Sequence, residues 1–246
     1  LEELTTDWLR RMLGLSDAWN GVIQDTASTA TLVAFICARE RATDYGAARG
    51  GLQASARPLI VYASSQSHSS VEKAALLAGF GRENLRVVAV DDAFGMRADA
   101  LRRAVETDQA AGRLPCAVVA TVGSTATTAI DPLEEIASVA RAHGLWLHVD
   151  AAMAGSAMIL PECRPFWQGI EAADSLVLNP HKWLRASFDC STSFVRDPQH
   201  LVRVMSTNPS YLRTAADARV RNFRDWGIPL GRRFRAALAE IDGVVL

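Results

Sequence analysis

Between Pro58 and Val195 the chain alternates short, largely apolar runs with longer stretches of helical period. That rhythm restricts the possible folds more than any other feature. The runs Leu59–Ala63, Arg86–Val90, Ala117–Val122, Leu145–Val149, Ser175–Leu178 and Ser191–Val195 are four to six residues long and read as strands. Between them, helices are expected over Ser69 to about Ala78, Arg97–Ala111 and Leu133–Ala142. Ser69-Ser-Val-Glu72 reads as a capping box for the first helix. The second turns Ala98, Leu101, Ala104 and Val105 inward. Strand–helix alternation of this kind predicts an α/β fold, a largely parallel sheet with helices on both faces.

The flanks are less regular. Residues 3–14 place Leu4, Trp8, Leu9, Met12 and Leu13 on one helical face, with Gly14 as a stop signal. Gly21–Ser28 reads as a strand and turn, and Ser28–Arg41 as a helix apolar almost all round, hence buried. Residues 41–57 read as an exposed connection, and 206–222, polar and basic without period, as a mobile loop. Pro229-Leu-Gly-Arg-Arg-Phe-Arg235 leads into a last helix.

Composition excludes several classes of function. A net charge of −1 with interspersed signs gives no footprint for nucleic acid or an anionic membrane surface. No apolar run reaches the roughly 20 residues of a membrane span, and there is no secretory leader pattern. The five histidines lack zinc-ligand spacing, so no metal is expected. Four scattered cysteines without a CxxC pair read as reduced, mostly buried thiols, pointing to the cytoplasm. The chain opens at Leu1 inside a helical pattern and stops just after another, so it is expected to be part of a longer protein.

Two apolar runs end in chemistry. Leu145-Trp-Leu-His-Val-Asp150-Ala-Ala152 delivers a carboxylate, and Leu176-Val-Leu-Asn-Pro-His-Lys182-Trp delivers an amine. Ligands of open α/β sheets bind at the carboxyl ends of strands. A lysine and an aspartate presented there suit pyridoxal phosphate (PLP), which needs an amine for its aldehyde and an anion beside its ring nitrogen. Each residue also has a plain reading. Lys182 resembles a solvated surface lysine, unless His181 and Trp183 desolvate it and lower its pKa. Asp150 could cap the following turn, although Ala151, Ala152 and Gly155 leave space for a flat ring. Ser28 could be a simple N-cap, or with Ala27 it could open a helix N-terminus onto a phosphate, beside Thr125 and His181. His68 is either structural or a planar group to stack on the ring.

These motifs resemble a known family. Asn179-Pro-His-Lys182-Trp, His148-Val-Asp150-Ala-Ala-Met-Ala-Gly, Ser67-His68-Ser-Ser-Val-Glu-Lys and Pro229-Leu-Gly-Arg-Arg-Phe-Arg look like the group II PLP-dependent decarboxylases, most of all their aromatic-L-amino-acid branch. The resemblance runs along nearly the whole chain. It implies a fold type I large domain over 1–246, with a mostly parallel seven-stranded sheet, a catalytic loop at 206–222 and, from 229, the start of a connection to a C-terminal domain. It implies that Lys182 bonds the cofactor aldehyde, that Asp150 pairs with the ring nitrogen, and that Ala152 and His68 sandwich the ring. Ala27, Ser28, Thr125, Asn179 and His181 would hold the phosphate or the ring's polar edge. Tyr211, in Asn208-Pro-Ser-Tyr-Leu212, would protonate the substrate carbon after carbon dioxide leaves. An amino-acid substrate and a homodimer with shared sites are also implied. Tyr211 and His68 favour plain decarboxylation over aldehyde formation. A decarboxylase for acidic amino acids and a non-catalytic PLP-binding remnant stay as alternatives. One departure stands out: Ala27-Ser-Thr-Ala30 carries Thr29 where animal members commonly have Glu.

Overall fold

The computed structural model describes residues 1–54, 57–207 and 220–232. In chain order the elements are α1 (Glu2–Met12), β1 (Asn20–Gln24), α2 (Ala27–Ala42), α3 (Gly46–Gly50), β2 (Leu59–Ser64), α4 (Ser69–Leu77), β3 (Leu85–Val88) and α5 (Ala98–Ala110). Then follow β4 (Leu114–Thr121), α6 (Leu133–His143), β5 (Trp146–Asp150), β6 (Ser175–Leu178), α7 (Pro180–Trp183), β7 (Ser191–Val195) and α8 (Pro198–Met205).

Among the described residues seven strands form one sheet in the order β1-β7-β6-β5-β4-β2-β3. The five strands from β6 to β3 are mutually parallel. β7 runs antiparallel to both of its neighbours. The central strands are buried along almost their whole length, mostly by apolar residues, because both faces are covered. On β4, Val118 and Ala120 join a core with Leu101 of α5 and Ile136 of α6. Ala117 and Val119 face the other way, toward Phe35 of α2 and Val71 of α4. Helices thus lie on both faces, as the alternation predicts.

Several local expectations need correction. In α1 only the face carrying Thr6, Leu9 and the capping Leu13 is buried, while Leu4, Trp8 and Met12 stay 47, 42 and 47% exposed. The apolar period is real, but it covers two faces, and only one meets β1 and the core. α2 is capped by Thr26, whose hydroxyl accepts from Thr29 N, so Ser28 lies inside the first turn. α4 is capped by His68, not by a Ser69 capping box: the imidazole Nδ1 accepts from Ser70 N at 3.2 Å. The 41–57 connection contains a short helix, α3. α8, which the sequence reading did not anticipate, starts at Pro198 under an Asp197 cap. Of the four cysteines, Cys37 and Cys116 are buried and the other two half-buried. Most of the expected 206–222 loop, and the last helix, lie outside the described residues.

One polar hub bears on stability. Asp108, at 2% exposure, accepts from Tyr62 Oη at 2.9 Å and from the guanidinium groups of Arg86 and Arg113, each at 2.9 Å. Burial pushes its carboxyl up, but these donors outweigh it and hold the pKa below the ordinary value. Asp108→Ala would strand two cations and a buried phenol. Arg86 and Arg113 are partly exposed and can rehydrate. The expected cost is therefore about 3 kcal/mol, the low end for breaking such a pair, read by urea denaturation. The contribution is fully present above the unfolded carboxyl's 3.8 and is lost as pH falls through the lower folded value.

Candidate active site

Parallel packing brings the carboxyl ends of β2, β4, β5 and β6 to one edge of the sheet. A cavity of about 210 Å³ opens there, closed on one side by the first turn of α2. The edge is a topological switch point, because the chain leaves β2 for β3 on one side and returns to β4 on the other.

Asp150 ends β5 and is 5% exposed. Its Oδ1 accepts from Ala152 N at 3.1 Å. Burial raises its pKa, against the Ala152 amide and the nearby Lys182 charge. A buried carboxylate in this position calls for a cationic partner, which a protonated ring nitrogen would supply. Lys182 follows β6 on α7, whose start is set by Asn179 and Pro180. Asn179 is buried, its Oδ1 accepting from Ser191 Oγ at 2.7 Å. Of 26 basic residues only Lys73 and Lys182 are lysines, and Lys73 is exposed on α4. Lys182 is therefore the one primary side-chain amine lining this cavity.

α2 approaches closely because small residues meet there: Ala27 and Ala30 pack on Ala152 and Val177. The Thr29 and Ala30 amides are taken by Thr26. Ala27 and Ser28 come earlier in the turn, where N–H groups lack intrahelical partners and favour an anion. His68 opens on the cavity from beyond β2 and Thr125 from beyond β4. Its Nδ1 accepts from both the amide and hydroxyl of Ser70, at 3.2 and 2.9 Å, so a neutral His68 carries its proton on Nε2.

Eight of the expected residues line the cavity: Lys182, Asp150, His68, Ala27, Ser28, Thr125, Ala152 and Asn179. His181 does not. One position along a helical turn rotates a side chain by about 100°, and His181 points toward the β7 lead-in. Its Nδ1 accepts from Cys190 N at 2.9 Å, and its ring lies 4.8 Å from that of Phe188. Burial, then the Lys182 charge, lowers its pKa. Trp183 is 49% exposed, so it does not provide the desolvation expected around Lys182. Gly155 and Ala151 do not leave open space either. A Cβ on Gly155 would come within 2.9 Å of Ala151 Cβ and 3.0 Å of Leu178 Cβ. Tyr211 lies outside the described residues.

The sequence reading missed Thr121, Gly123, Ser124, Met153, Thr26 and Ser70 as lining residues. Gly123 is there of necessity: its φ is +76°, and a Cβ would meet Ala154 Cβ at 2.3 Å. Thr121 sits opposite Asp150 in register, its buried hydroxyl without a partner among the described residues. Its place at the end of the β4 run was the available signal. Met153 had none. Among the described residues no cluster of His, Cys, Asp and Glu could hold a metal, and no helix is long and apolar enough to cross a membrane.

The donor set fits PLP: an amine, a buried acid awaiting a cation and free amides at a helix start. Comparison with known proteins agrees. The aromatic-L-amino-acid decarboxylase of Bos taurus is 45% identical over 249 residues, covering 96% of this chain and 50% of its own. The phenylacetaldehyde synthase of Arabidopsis thaliana is 41% identical over 246 residues, covering 96% and 49%. The crystal structure of Oryza sativa TDC with PLP and tryptamine superposes with a TM-score of 0.89 at 40% identity, covering 95% of this chain and 50% of that one. The chain thus spans about half the length of these relatives. The family described as the pyridoxal-dependent decarboxylase conserved domain matches residues 1–239. With that match over nearly its whole length, the chain belongs to the pyridoxal-dependent decarboxylases.

Proposed function

We propose that this chain is the cofactor-binding half of a PLP-dependent decarboxylase that converts an aromatic L-amino acid to its amine and carbon dioxide. The observation that carries the reading is the meeting of Lys182, Asp150 and the first turn of α2 at one cavity. PLP supplies an aldehyde that bonds amines and a protonated ring that draws electrons from the bond being broken. Lys182 offers the amine that holds the aldehyde. Asp150 keeps the ring nitrogen protonated through its charge. Ala27 and Ser28 offer amides to the phosphate, with Thr125 and Asn179 at the polar edge. His68 and Ala152 hold the ring between them. Tyr211 donates a proton to the substrate carbon once carbon dioxide has left.

The same proposal includes a homodimer with shared sites, supported by the exposed apolar stripe of α1, and a cytoplasmic location, supported by the scattered cysteines. A second reading, aldehyde formation, is favoured by the likeness to a phenylacetaldehyde synthase. Product analysis decides. The complete protein carrying this chain is given PLP and a panel of aromatic and acidic L-amino acids, and carbon dioxide, amine, aldehyde and hydrogen peroxide are measured. The expected result is equal carbon dioxide and amine from an aromatic substrate. Tyr211→Phe should then divert product toward aldehyde, ammonia and hydrogen peroxide, with dioxygen as oxidant. An unchanged ratio removes Tyr211 from its role. Cofactor binding without carbon dioxide release sinks the decarboxylase reading and leaves a non-catalytic PLP-binding domain.

A further inference from the structure

Two residues before Asp150, on the same face of β5, sits His148, an imidazole with 0% exposure that the chemistry above does not use. Four hydrogen bonds are strung through it. Trp146 Nε1 donates to Ser175 Oγ at 2.8 Å. Ser175 Oγ lies 2.8 Å from His148 Nδ1. His148 Nε2 lies 3.4 Å from Thr31 Oγ1, the longest and weakest link. Thr31 Oγ1 donates to the Ala27 carbonyl at 2.9 Å.

The two ends fix the direction of the whole string. An indole N–H can only donate and a carbonyl can only accept. Ser175 already accepts from Trp146, so its own hydrogen goes to Nδ1. The Thr31 hydrogen is committed to Ala27, so its oxygen receives a hydrogen from Nε2. The opposite tautomer would leave the Ser175 hydrogen without an acceptor in the string and set a bare Nε2 against the Thr31 oxygen. Both are costly in a buried site. Burial alone pushes the His148 pKa down to about 3, so the ring is neutral at ordinary pH.

We propose that His148 is a positioning residue: a neutral, Nε2-protonated imidazole that orders a one-way hydrogen-bond string from β5 and β6 to the first turn of α2, and so holds Ala27 and Ser28 in register with Asp150. The string spans the elements that flank the cavity. A rigid ligand with an anion at one end and a basic ring nitrogen at the other measures the separation of those two sites. A string running one way also polarises each bond along it. The link to ligand affinity rests on the proposed reading of the cavity as a PLP site; the tautomer does not.

Two measurements test it. Long-range proton–nitrogen correlation on nitrogen-15-labelled, cofactor-free protein reads the imidazole directly. The expected spectrum has His148 protonated at Nε2 and bare at Nδ1, unchanged between about pH 6 and 9. An Nδ1-protonated form, or titration in that window, overturns the proposal. Thr31→Val then removes the acceptor at nearly constant shape, with Thr31→Ser as the conservative control, and PLP affinity is read by absorbance titration. Thr31→Val should raise the Kd on the order of tenfold, while Thr31→Ser stays near the unsubstituted protein. Unchanged affinity in Thr31→Val overturns the positioning role. If the unsubstituted protein fails to bind PLP, the proposed function falls, and the tautomer is still judged by its own spectrum.

Discussion

Lys182→Ala is expected to abolish covalent retention of PLP and to cut decarboxylation by ~10³ or more, about 4 kcal/mol of barrier. The size follows from the scarcity of amines. Lys73 is exposed on α4 and does not line the cavity, so no second lysine lines it to substitute. Arginine is no replacement, because its guanidinium stays protonated and is not a nucleophile at working pH. Lys182→Arg should therefore fail as completely as the alanine variant. Borohydride reduction followed by peptide mass spectrometry gives the check. The cofactor should be fixed on the peptide containing Lys182 and on no other. Label on Lys73, or a normal visible band in Lys182→Ala, would sink the assignment.

Asp150→Asn should act in opposite directions on activity and on stability. The amide keeps the size of the side chain and can still accept from Ala152 N, but it removes the charge. With no anion to hold the ring proton, turnover is expected to drop by ~10³, again about 4 kcal/mol. The cofactor-free protein should become more stable. Burial raises the Asp150 pKa, so the native state binds this proton more tightly than the unfolded chain does. The stability this proton contributes is full below the unfolded value of 3.8 and is lost as pH rises through the folded value. At neutral pH the carboxylate is thus a burden that asparagine relieves. Thermal unfolding of both forms with and without PLP reads both signs: Asn more stable without cofactor, and gaining less when it is added. A variant that is less stable without cofactor would contradict the electrostatic account.

Much of the site was legible in the sequence because sheet edges leave a plain signature. Apolar runs that end abruptly in Asp150 and in Asn179 announce strand ends, and parallel strands carry such ends to one side. Neighbours within a turn were the weak point. His181 and Lys182 are adjacent in the chain, yet the single turn of α7 sends the imidazole to Cys190 and only the amine to the cavity. Small residues were ambiguous in the same way. Ala152 bounds the cavity, whereas Ala151 and Gly155 are small so that backbones can pack. Caps were misplaced by a residue or two, at Ser28 and Ser69, because serine, threonine and histidine all offer an acceptor at a helix start. The outer face of α1 could not be assigned from period alone, since amphipathicity says that a face is apolar and not what covers it. The scarcity of lysine was a readable signal, and it acquires meaning only once Lys73 is seen on an outer helix.

The antiparallel strand β7 also ties distant parts of the chain together. Among the described residues β1 pairs only with β7, residue 24 against residue 191. One residue past β1, after Asp25, come Thr26, Ala27 and Ser28, the start of α2. Contacts so distant in sequence carry a large entropic cost before they yield any gain. The anion cradle is written near the beginning of the chain, and it is held twice over, by β1 on β7 and by the packing of α2 itself on β4, Ala152 and Val177. A phosphate gripped there is therefore held by a segment that distant parts of the chain clamp from two sides.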